Sequence, residues 1–102
     1  DVDGLILLGS YPSESSDLSE QPIEVLSLYA QFDGLTSLED IETSKALLPP
    51  DTTFVEIQGG NHAQFGMYGG QKGDQKATIS AKQQQDIMVE DTVKWLKAMH
   101  KE

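Results

Sequence analysis

Three short apolar runs, each closed by a turn-forming segment, constrain this chain more than anything else in it. They are GLILLGS at 4–10, IEVLSLYA at 23–30 and TFVEI at 53–57. The first is continuous rather than alternating, which suits a strand covered on both faces, as in a parallel sheet. Helical patterns follow the second and third runs. Strands alternating with helices pair in parallel through right-handed crossovers. The expected fold class is therefore α/β, in three α/β/α layers, with about three parallel strands and two main helices.

The segment YPSESSDLSEQP at 11–22 reads as a surface connection with one helical turn near Asp17. The second strand centres on Val25, Leu26, Leu28 and Tyr29 and ends in an Asp33-Gly34 turn. A helix is expected from Thr36 or Ser37, with Thr36 and Glu39 at capping-box spacing. Its face would carry Leu38, Ile41, Leu47 and Leu48, and Pro49-Pro50 would stop it. After the third strand come 21 residues, 58–78, with no regular pattern. A loop that long in a small domain implies a task. The last helix is expected from Ser80 to Met99, with Ser80 and Gln83 as a second capping box. Met88, Thr92, Trp95, Leu96 and Met99 recur at helical spacing and read as core packing.

Length and charge exclude several classes. A chain of 102 residues is one domain at most, or part of one. Its net charge is −10, and residues 1–50 hold ten acids against a single lysine. Such a surface repels phosphate backbones and anionic lipid, so neither nucleic acid nor membrane is an expected partner. Without cysteine, thiolate catalysis, disulfides and sulfur-ligated metals are out of reach. No apolar run approaches the ~18 residues that span a bilayer. The opening DVDGLILLGS has no basic stretch ahead of its apolar run, unlike a signal peptide, and starts almost at once on a strand. A preceding segment is expected.

Chemistry gathers beyond the carboxyl ends of strands in open parallel sheets. Asp33 lies three residues past Ala30, and His62, in GGNHAQFG, lies five past Ile57. Should the two strands be neighbours, both side chains emerge at one rim. An aspartate bonded to one imidazole nitrogen would fix the tautomer and leave the other nitrogen as general base. That is two-thirds of a nucleophile–His–Asp triad. The plain alternative is that Asp33 only shapes its turn and His62 only satisfies loop backbone. No serine stands in a G-x-S-x-G elbow. Ser10 precedes Tyr-Pro rather than a helix, Asp51 falls at the opposite rim, and His100 is near the chain end.

The stretches VLSLYAQFDGL and FVEIQGGNHAQFGMYGGQKGD, with the ATIS helix start after them, resemble the C-terminal half of an α/β-hydrolase. They are similar to a bacterial branch of dienelactone-hydrolase-like and esterase-like proteins. The resemblance makes 1–102 the C-terminal portion of a single domain, with Asp33 as the acid and His62 as the base. It implies an ester or lactone substrate, no cofactor, and a partner in the N-terminal half that carries the nucleophilic serine and oxyanion hole. Tyr11, Phe65 and Tyr68 would then form an apolar wall for substrate, with Met67 beside them; the alternative is a small core internal to the loop. A competing expectation is a non-catalytic module that associates with a partner or with a second copy through an exposed sheet edge.

Overall fold

The computed structural model describes residues 4–66 and 73–99. Tyr68, Met67 and His100, named above, lie outside the described residues.

Strand β2, Glu24–Ala30, is the middle of the fold because its run is apolar on both pleat faces. It pairs in parallel with β1, Gly4–Leu8, on one side and with β3, Thr53–Ile57, on the other. The order β1-β2-β3 follows the chain. Register places Leu8 beside Leu28 and Ala30 beside Ile57. One face of β2 presents Leu26 and Leu28, which join Ile57 of β3 and Met88 of the long helix in the buried core. Leu26 and Leu28 are both 0 % exposed. Burying side chains of this kind contributes about 1.5–3 kcal/mol each.

Helix α1, Leu38–Ser44, continues as a 3₁₀ turn over Lys45–Leu47, and α2 runs Ala81–Met99. Lys45 reaches over the Phe54 ring at 5.4 Å, on the face opposite to Val55 and Ile57. The sheet therefore lies between α1 and α2, as the alternating pattern demands.

Four local expectations change. The α1 capping box is formed by Ser37 and Asp40, each side chain bonded to the other's backbone N–H at 3.0 Å, rather than by Thr36 and Glu39. Thr36 is already committed: its N–H goes to Asp33 and its hydroxyl donates to the Gly9 carbonyl at 2.8 Å. Ile41 and Leu48 are buried as expected, but Leu38 is exposed, since α1 begins at the rim above the sheet. β1 is not covered on both faces. Ile6 and Leu8 are more than one-third exposed, because α2 lies over β2 and leaves a groove of about 390 Å³ between them and Val89 and Val93. In α2 the Ser80–Gln83 box forms as expected, whereas Leu96 is exposed and the buried line runs through Gln84 and Met88. The connection 11–22 carries a 3₁₀ turn, Glu14–Ser16, just ahead of Asp17.

Candidate active site

The register that sets Ala30 against Ile57 makes the chain leave two neighbouring strands at the same level. The ladder continues one step further, with Gln31 N–H donating to the Ile57 carbonyl at 3.0 Å. Past that point the chain turns twice. After β2, the Asp33 carboxylate folds back on its own turn, and Oδ1 accepts from Leu35 N–H at 2.8 Å and Thr36 N–H at 2.7 Å. After β3, Gly59 adopts φ +79°, a left-handed conformation that side-chain-bearing residues rarely hold. His62 then caps a 3₁₀ turn, Ala63–Phe65, inside the segment expected to have no regular structure.

These turns bring His62 Nδ1 to 2.8 Å from Asp33 Oδ2. The Asp33 side chain is 0 % exposed and the imidazole 26 %. Because Oδ1 is held by two backbone donors, Asp33 has a fixed orientation and presents Oδ2 to the ring. A carboxylate accepts and does not donate, so this bond selects the tautomer with its hydrogen on Nδ1. The buried acid thus sets which nitrogen is basic, and the ring edge reaches solvent.

The loop residues around His62 are held from three directions. Gln84 of α2 is 0 % exposed; its Oε1 accepts from Asn61 N–H at 3.1 Å and its Nε2 donates to the Asn61 carbonyl at 2.9 Å. Gln85 Nε2 donates to the Gln64 carbonyl at 2.6 Å. Asp74 accepts from His62 N–H and Ala63 N–H and also from Gly34 N–H of the acid turn. Sequence reasoning missed Gln84 and Asp74. Extending the Met88 stripe one turn towards the helix start reaches Gln84, which is the signal that was present for it.

Phe65 stands beside the imidazole, its ring edge-on at 6.3 Å between centroids. Tyr11 is exposed and lines a cavity of about 230 Å³ with Pro12, Asp40 and Thr43. Asp51 is exposed at the turn ahead of β3, at the far rim. Among the described residues, the hydrogen bonds of the imidazole include none from a hydroxyl group.

The model of the alpha/beta hydrolase family aligns with residues 1–86. The chain belongs to the alpha/beta hydrolase family. No curated protein and no solved structure matched it. The three-stranded parallel sheet with α1 and α2 corresponds to a portion of the alpha/beta hydrolase fold.

Charge at this hydrolase rim has one titration with a clear direction. Burial disfavours the Asp74 carboxylate, but four backbone N–H donors, from Gly34, Ala63, His62 and Gln75, outweigh it and hold its pKa below the ordinary 3.8. A carboxyl whose folded pKa is depressed contributes stability above the ordinary value and loses it as pH falls through the lower folded one. The melting temperature of the wild type is therefore expected to exceed that of Asp74→Asn at neutral pH. The two should converge as pH is lowered below 3.8, read by circular dichroism. A gap that persists unchanged in acid would remove the charge from the account.

Proposed function

We propose that this chain is the C-terminal portion of a serine-type hydrolase acting on ester or lactone bonds, in the manner of dienelactone-hydrolase-like and esterase-like proteins. The observation that carries the reading is the 2.8 Å bond between a fully buried Asp33 side chain and His62 Nδ1. In this reading Nε2 takes the proton of a serine hydroxyl as its oxygen attacks the substrate carbonyl. The same proton passes to the departing alcohol, leaving an acyl-enzyme. Water then attacks the acyl carbonyl as Nε2 takes its proton, and that proton passes to the serine oxygen as the acyl bond breaks, restoring serine. Asp33 stabilises the imidazolium during each transfer. Phe65 would offer an apolar surface to the acyl or alcohol group.

The serine and oxyanion hole would come from an N-terminal half of the domain. Its polypeptide would pair along the free side of β1 and cover Ile6 and Leu8. That exposed face is also what favours a second reading, a non-catalytic module that associates through the sheet edge with a partner or a second copy.

Nitrophenyl esters separate the two readings. The full-length protein is expected to release nitrophenol in a burst followed by steady turnover. The 102-residue chain alone should release it no faster than free imidazole. An inert full-length protein would favour the association module, and a burst from the isolated chain would place the nucleophile within it.

A further inference from the structure

We infer that Asp74 is a positioning residue for the Asp33–His62 pair: it ties the acid turn and the histidine turn together through their backbones. The inference rests on the hydrolase reading for its catalytic consequence, but its geometry stands apart from it.

Asp74 touches neither imidazole nor Asp33 carboxylate by hydrogen bond. Its Oδ1 accepts from Gly34 N–H at 2.9 Å, from His62 N–H at 3.3 Å and from Gln75 N–H at 2.9 Å. Its Oδ2 accepts from Ala63 N–H at 2.9 Å. Gly34 directly follows the acid, and His62 is the base itself. One carboxylate thus grips the backbone next to each member of the pair. The gap between the two turns is otherwise closed by the Asp33–His62 bond and by backbone contacts further back, such as Phe32 N–H to the Gly60 carbonyl at 2.9 Å. The grip also requires the glycine. A Cβ on Gly34 would lie 2.2 Å from the Gly73 carbonyl oxygen and 2.7 Å from Asp74 Cα, so any side chain there forces the acid turn away from Asp74.

Charged acceptors on backbone N–H groups are stronger and shorter than neutral ones, which suits a fixed spacing. A catalytic bond needs its partners held to within about half an ångström. Loss of the grip should therefore leave binding intact while the base and acid drift apart. A shift of about 1 Å at a catalytic group costs on the order of 100-fold in rate.

The test uses the full-length protein labelled with ¹⁵N-histidine, with the His62 signals assigned by their loss in His62→Gln. In the wild type the Nδ1 proton bonded to Asp33 should appear far downfield. Asp74→Ala is expected to broaden or abolish that signal and to lower kcat for a nitrophenyl ester about 10- to 100-fold, with KM within about two-fold of wild type. Gly34→Ala, which keeps the carboxylate but displaces the turn, should do the same. Asp74→Asn keeps one oxygen acceptor and should fall between, and it remains readable where the alanine variant does not fold. The inference is overturned if a folded Asp74→Ala or Gly34→Ala protein retains the downfield signal and the wild-type kcat. Where the full-length wild type hydrolyses no ester, the hydrolase reading fails, yet the proton signal still decides the role of Asp74.

Discussion

Replacing His62 by alanine in the full-length protein is expected to lower kcat for ester hydrolysis by about four orders of magnitude, with little change in KM. The expected size follows from what is removed. Without the imidazole, a serine hydroxyl has no base to take its proton, and the leaving alcohol has no acid to return one. On the hydrolase reading the imidazole serves acylation and deacylation alike, so whichever step limits turnover is slowed and the loss appears in kcat. On the same reading substrate binding falls to the apolar surroundings and to the proposed N-terminal half, and is left nearly intact. The substitution should also be mild for folding, because the imidazole is 26 % exposed, its backbone N–H is held separately by Asp74, and the preceding Asn61 is held by Gln84. A folded His62→Ala protein that turns over ester at close to the wild-type rate would reassign the base to another residue.

How much of this the amino-acid sequence reveals depends on the range of each interaction. The strands were legible because their apolar runs are local, and their ends were marked by Asp33-Gly34 and by Gly59-Gly60. Asp33 and His62 were legible for the same reason, since placing them needed only strand order and a count of residues past each strand. Asp74 was not, because its grip joins it to Gly34 across 40 positions through a backbone amide, which leaves no residue pattern. Gln84 reaches Asn61 across 23 positions, and only its place on the Met88 stripe marked it. The capping box was misplaced by one residue because Asp33 had already captured the Thr36 N–H, a conflict that spacing alone does not reveal. The apolar character of β1 correctly specified a strand, but not that α2 would lie over β2 and leave Ile6 and Leu8 partly exposed.

Asp33→Asn is expected to be nearly as damaging as loss of His62, lowering kcat about 10⁴-fold while leaving the protein folded. The reason lies in how Asp33 is held. Oδ1 accepts from both Leu35 and Thr36 N–H, so an asparagine keeps its carbonyl oxygen there and turns its amide towards His62. An amide nitrogen donates, so Nδ1 must become the acceptor and the ring proton moves to Nε2. The nitrogen facing the substrate side then carries a hydrogen and cannot act as base. Turn and ring stay in place, and only the tautomer is inverted. The asparagine variant should therefore keep a melting temperature close to wild type while losing activity, whereas Asp33→Ala removes the acceptor for the buried Thr36 N–H and the half-buried Leu35 N–H and should lose stability as well. Combining Asp33→Asn with His62→Ala should cost no more than His62→Ala alone, since the acid acts only through the imidazole. An additive double variant would mean that Asp33 contributes to the reaction by some route other than the ring.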